Sequence, residues 1–149
     1  MQRTTYETDF YAWTQQQAAL LQAEDLEKLD LPNLAEEIES MGKRDRKEVA
    51  SRLKVLLIHL LKWKYQPQKN KGSSWRDTIR TQRNEIADEF DYSPSLRREL
   101  SALIAYAYPR ARRDAAIETK LALATFPADC PWTGEEILGE DWWPAAVTD

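Results

Sequence analysis

KRDRKEVASRLKVLLIHLLKWKYQ, residues 43–66, decides the fold. Val49, Leu53, Leu56, Leu57, Leu60 and Trp63 recur at helical spacing and form a wide apolar stripe, whereas Lys54 and Lys62 point elsewhere. Glu48 stands four residues before Arg52, a spacing at which opposite charges support a helix. The stretch therefore predicts the central helix of a packed bundle. Pro67 ends it, because proline has no N–H to continue the ladder. QPQKNKGSS, residues 66–74, lacks apolar anchors and reads as a polar loop with a mobile tip.

Working back toward the N-terminus, NLAEEIESM (33–41) places Leu34, Ile38 and Met41 at helical spacing, with glutamates in the early turns where they complement the helix dipole. Gly42 leaves two outcomes open: the helix ends there, or it continues at some cost. Earlier still, DFYAWTQQQAALLQAED (9–25) predicts a first helix capped by Thr8 or Asp9. Phe10, Trp13, Gln17, Leu20 and Leu21 fall near one of its faces, and a short acidic linker follows from Asp25 to Pro32.

Working forward, Ser74 and Asp77 resemble a capping box, and Trp75, Ile79, Gln82, Ile86 and Phe90 repeat as a buried stripe of a helix ending near Asp91. Ser93 and Pro94 restart the chain as N-cap and first helical residue, and Leu96, Leu100, Leu103, Ile104 and Ala107 keep the helical period. Pro109 predicts a kink or break near 105–109, after which RARRDAAIETKLALA (110–124) is helical again. The tail TFPADCPWTGEEILGEDWWP (125–144) differs in kind. Its prolines pin it, Thr133 to Glu136 reads as a capping box, and its four aromatic residues need burial. No strand-like alternation competes with these helices. The expected architecture is all-α, a four- to five-helix antiparallel bundle with a short C-terminal Pro/Trp-rich strap, in one domain over residues 1–149.

At 149 residues the chain can bury a core without cross-links, and 42% hydrophobic against 31% charged residues separates it from disordered sequences. The single Cys130 permits no internal disulfide and no CxxC metal pair, which favours a reducing compartment. Neither the N-terminus nor any later run approaches the roughly 20 apolar residues of a membrane span, so the cytoplasm is the expected location, with no membrane partner. Charge is unevenly laid out. Residues 1–42 hold 2 basic against 9 acidic side chains, residues 43–83 hold 13 against 3, and residues 84–149 hold 6 against 13.

DFYAWTQQQAALL, DLPNLAEEIESMG, LLIHLLKWKYQP, SWRDTIRTQRNEI and FPADCPWTGEEIL, in that order, resemble a bacterial family known only as a domain of unknown function, number twenty-nine, common in cyanobacteria and proteobacteria. The resemblance covers roughly residues 5–143 and implies an all-helical bundle but no activity. Pro109 departs from the helix-compatible residue expected of the family, which bears on the continuity of that helix.

Three kinds of site can be written from the residues. The first is a basic and aromatic surface over 62–83, where Lys62, Lys64, Lys69, Lys71, Arg76, Arg80 and Arg83 accompany Trp63, Tyr65 and Trp75. That mixture suits an anionic or protein partner, nucleic acid included, by phosphate neutralisation and base stacking. Arg76, Arg80 and Arg83 stand at i, i+4 and i+7, one stripe of a helix. The competing account pairs this basic block internally with the acidic ends, and the acidic pI of about 5.2 favours it.

The second is a polar site drawn from Glu36, Glu37, Glu39, His59, Arg76, Arg80 and Arg83 around the aromatic edge of Trp63 and Trp75, in which a carboxylate orients His59 as a general base for a small enzyme or ligand-binding domain. The bland account is a half-buried histidine bonded to a glutamate. The third is partner binding through the tail, where Trp132, Trp142 and Trp143 offer aromatic anchors. Adjacent tryptophans in a short turn predict that one of Trp142 and Trp143 stays exposed.

Other chemistry finds little footing. Di-iron bundles need two Glu-x-x-His pairs, but Leu56 stands three residues before the only histidine; a zinc site lacks ligands, and only an oxygen-only magnesium site at Glu36, Glu37 and Glu39 can be drawn. With four glycines no phosphate-cradling loop is matched, so no cofactor is expected. Cys130, between Asp129 and Pro131, reads as a structural thiol. The leading reading is a non-catalytic interaction or regulatory module binding through 62–83, with a protein, a nucleic acid or a second copy of the chain as candidate partners and no assigned catalytic residue.

Overall fold

The computed structural model describes residues 5–69 and 73–147. The chain divides into two compact units, Met1–Arg44 and Asp45–Asp149. Among the described residues all regular structure is helical, and no helix is long and apolar enough to cross a membrane. The expected all-α fold is found.

The N-terminal unit holds α1 (Thr5–Thr8), α2 (Phe10–Gln22) and the first part of α3 (Leu31–Tyr65). Of the two candidate caps, Asp9 closes α2, its carboxylate accepting from the Ala12 amide at 3.1 Å. The helix ends through Glu24 in the left-handed region at φ 57°, with the Glu24 amide donating to Leu21 O and the Asp25 amide to Leu20 O. Asp30 then ties the connection down. Its carboxylate accepts from Trp13 Nε1 at 3.0 Å and Asn33 Nδ2 at 2.8 Å, and its amide donates to Gln17 Oε1 at 2.8 Å. α3 accordingly starts at Leu31, two residues before the expected Asn33.

Gly42 neither ends nor divides α3. The two helices read from the sequence on either side of it are one helix of 35 residues. Nothing lies within 4 Å of where a Gly42 Cβ would sit. Gly42→Ala should therefore stabilise the chain by about 0.5–1 kcal/mol through helix propensity alone, measured as a raised midpoint in denaturant unfolding followed by circular dichroism.

In the C-terminal unit, α3 packs with α4 (Ser73–Tyr92) and α5 (Leu100–Thr119). Side-chain pairs set the directions. Arg52 meets Gln82 and Glu85 while Lys62 meets Trp75, so α4 runs against α3. Arg46 meets Glu99, Lys54 meets Asp114 and Lys62 meets Glu118, so α5 runs with it. Leu53, Leu56, Leu57, Leu60 and Leu61 are fully buried against Ile79, Ile86 and Phe90 of α4 and Leu103, Ala107, Ala111 and Ala115 of α5. The alanines of α5 recur every four residues and leave room for the leucines of α3.

Several helix ends differ from expectation. Ser74 is already helical, since α4 begins at Ser73, so it does not act as the cap of a box with Asp77; residues 70–72, the expected mobile tip, lie outside the described residues. Pro94 opens a 3-10 helix, Pro94–Glu99, without a side-chain cap from Ser93, and α5 begins only at Leu100. α5 runs unbroken through Pro109, which is exposed. The missing N–H leaves Ala105 O without its helical donor, while Leu103, Ile104, Ala107 and Tyr108 before the proline and Ala111 and Ala115 after it are buried. Lys120 in the left-handed region at φ 60° then stops α5, so 121–124 do not extend it.

Candidate functional site

Trp63, Lys64, Tyr65, Arg76 and Arg83 converge on the strap that follows α5, while Lys71 lies outside the described residues. Trp63 packs on Trp143 with ring centroids 4.4 Å apart, and the guanidiniums of Arg76 and Arg83 each lie 5.3 Å from the Trp143 ring. Arg76 also sits over Trp63, Lys62 over Trp75, and Tyr65 meets Phe126 edge-on at 5.0 Å. Lys64 Nζ donates to Ala145 O at 3.1 Å, and the Val147 amide donates to Lys64 O at 3.0 Å. The strap is held elsewhere by Tyr108 Oη donating to Pro127 O at 2.6 Å and Arg112 Nε donating to Phe126 O at 3.1 Å.

Arg83 is the clamp. It is only 3% exposed, yet among the described residues no carboxylate pairs with it. Its Nε donates to Ile137 O at 2.8 Å and one terminal nitrogen to Trp142 O at 2.9 Å; the other terminal nitrogen, Nη1, is buried without a partner. Burial pulls the guanidinium pKa down. The carbonyl of Ile137 belongs to the last turns of α6 (Gly134–Leu138), where a cation complements the helix dipole. The expected capping box opens that helix: Thr133 accepts from the Glu136 amide while Glu136 accepts from the Thr133 amide. Trp142 and Trp143 are both half-buried, contrary to the expectation that one stays exposed, because Trp132 meets Trp142 edge-on at 5.7 Å while Trp63 takes Trp143.

The internal pairing of the basic block is real for one part of it. Arg46, Arg52, Lys54 and Lys62 meet acids of α3, α4 and α5 or the turn before α5. Arg76, Arg80 and Arg83 form no ion pair among the described residues. Arg80 and Arg83 instead line a cavity of about 290 Å³ with Asn84, Glu140 and Asp141.

His59 is half-buried and its Nδ1 lies 2.8 Å from Val55 O, one turn back in its own helix. That contact fixes the proton on Nδ1. Burial lowers the His59 pKa, with Val55 O opposing, so the ring is neutral near pH 7. Among the described residues no carboxylate bonds to it, neither the orienting partner of a general base nor the glutamate of the bland account. Glu36 and Glu37 belong to the N-terminal unit. There Tyr6 Oη donates to Glu37 Oε1 at 2.5 Å, raising the Tyr6 pKa to about 12, and Arg44 stands 3.9 Å from Glu37. Glu36 is exposed and forms no ion pair among the described residues. No group of three or more potential metal ligands occurs among the described residues.

A second, open groove of about 480 Å³ runs between α5 and the strap, lined chiefly by Ile104, Ala105, Tyr108, Pro109, Cys130 and Trp132. Burial raises the Cys130 thiol pKa, and the sulfur lies 3.6 Å from Trp132 O.

The N-terminal unit carries the surface that the sequence reading passed over. Among its described residues only Trp13 and Gln17 are buried. Leu31, Ile38 and Met41 of α3 are 62%, 66% and 60% exposed, and Phe10, Tyr11, Leu21 and Leu26 are exposed as well. With half-buried Leu34, the α3 residues stand at i, i+3, i+7 and i+10, one continuous stripe. The spacing was visible in NLAEEIESM; that the stripe faces solvent was not.

Neither the curated proteins nor the solved structures contain a match to the chain. Residues 5–143 match the profile of a family described as Domain of unknown function DUF29. That match takes in both units nearly end to end, and the chain belongs to the DUF29 family.

Proposed function

We propose that the chain is a non-catalytic interaction module of a reducing compartment such as the cytoplasm, and that it docks a protein partner through the exposed apolar stripe of α3 in the N-terminal unit. The observation that carries this reading is the imbalance among the described residues of that unit: two buried side chains against seven large exposed apolar ones. An apolar face of this kind on a helix marks an interaction site. The 62–83 surface supports binding less well, because Lys62, Trp63, Lys64, Tyr65 and Arg83 already hold acids or the strap, leaving Arg76 and Arg80 as its exposed arginines.

Affinity capture from the native host, with nuclease present, tests the reading by comparing the wild-type chain with an Ile38→Ser/Met41→Ser variant. Both side chains are exposed, and surface substitutions usually change stability by only about 0.5 kcal/mol. Recovery of a protein partner should fall about tenfold, the equivalent of some 1.4 kcal/mol, and nuclease should leave the wild-type result unchanged. Equal recovery by both chains, or recovery that nuclease abolishes, would refute it.

A further inference from the structure

We infer that the partner seated on the α3 stripe is a basic amphipathic helix of another protein, an inference that rests on the docking reading above. The stripe spans ten residue steps, about 15 Å or nearly three turns of helix, which is the footprint of a helix laid along a helix. Ala35 and Gly42 flank it on the wheel, and the space above Gly42 is empty to 4 Å, so a second helix can approach closely there. A strand or loop gains nothing from such a track, whereas a helix inserts its own i, i+3, i+7 side chains between Leu31, Leu34, Ile38 and Met41.

Charge selects which helix. Met1–Arg44 carries nine acidic residues against four basic ones. Glu39 on α3 stands on the open side of the stripe, past Ala35, and forms no ion pair among the described residues, and Glu24 and Glu27 follow α2. A partner with lysines or arginines beside its apolar face meets these acids, and one with glutamates is repelled.

The same layout weighs against a second copy of the chain. A second copy would bring up the same excess of acidic over basic side chains, nine against four, that this unit already carries. The pairing that suits the apolar side chains is therefore one that the charges oppose, and a basic helix escapes this conflict.

Three synthetic helical peptides of about eighteen residues, long enough to be helical when bound, test the inference by fluorescence anisotropy on the full chain. One has a leucine stripe on a lysine background, the second the same stripe on glutamate, and the third the first composition scrambled to destroy the stripe. The lysine peptide should bind at least about tenfold more tightly than either control, since both the apolar match and the charge match are needed. Ile38→Ser/Met41→Ser should abolish that binding. Glu39→Lys should cut the lysine peptide's advantage over the glutamate peptide several-fold.

Equal binding of the lysine and glutamate peptides, or of the patterned and scrambled ones, overturns the inference. So does sedimentation showing a wild-type dimer that Ile38→Ser dissociates, because a second copy would then cover the stripe. Host capture that depends on Ile38 and Met41 while no peptide binds leaves docking standing and removes only the basic helix. Capture indifferent to those residues removes the docking reading itself.

Discussion

Leu57→Ala is expected to destabilise the chain by about 2–5 kcal/mol, as a large-to-small change in a packed helical core does. Leu57 is fully buried, with leucines of its own helix on either side and Ile79, Ile86 and Phe90 of α4 and Leu103 of α5 in the same cluster. Truncation removes about three carbons' worth of burial and leaves a cavity that helices tied by Lys54–Asp114 and Arg52–Glu85 close only in part. Against a total stability of about 5–15 kcal/mol for a domain of this kind, such a loss is large. Urea unfolding followed at 222 nm measures it directly. A neutral result would mean that α3 is not central to the core, and the helical assignment of the whole C-terminal unit would need rebuilding.

Arg83→Met should cost about 2–3 kcal/mol, and its effect should be local. Hydrogen bonds from a charged donor contribute about 1.5–3 kcal/mol each, and the substitution strips two buried carbonyls, those of Ile137 and Trp142, of their donor. The opposing term is the release of a cation that was buried without a carboxylate and with Nη1 unpaired, which keeps the net loss below the sum of two such bonds. Arg83→Lys should recover little, because one ammonium cannot reproduce a planar fork directed at two carbonyls. Hydrogen exchange separates this effect from a general loosening: amides of 137–147 should lose protection while those of 53–61 keep theirs. Uniform loss across both segments, or no loss in the strap, would show that Arg83 does not clamp it.

The sequence made the scaffold readable because its strongest signal, the leucine stripe from Leu53 to Leu60, comes from burial, and burial is what periodicity encodes. Prolines were harder to read. Pro109 looked like a breaker because local rules count the lost N–H, whereas the outcome follows from where the ring points and from what the flanking turns bury. Here the ring is exposed and both flanks are anchored in the core, so one orphaned carbonyl at Ala105 is outweighed.

The sites were harder still, for a related reason. Arg76, Arg80 and Arg83 read correctly as one helical stripe, but spacing cannot say whether a guanidinium meets a phosphate or the chain's own backbone. The partners of Arg83, at Ile137 and Trp142, lie more than fifty residues later in the chain. His59 read as a partner for a carboxylate, yet a carbonyl one turn away satisfied it before any carboxylate did. Leu34, Ile38 and Met41 give the same periodic signal whether their cover comes from this chain or from another one. Only the exposure of Leu31, Ile38 and Met41 separates the two cases.

The strap also bears on how the molecule is made. Its contacts join Lys64 to Val147 and Arg83 to Trp142, pairs far apart along the chain. Local helical contacts form before such distant ones, because long loops are costly to close. As the nascent polypeptide leaves the ribosome, α3 and α4 emerge well ahead of Trp143, so Trp63 and the Arg83 guanidinium wait without their lid. Synthesis thus passes through a stage in which a cationic, aromatic shelf is open, and the emergence of residues 137–147 seals it.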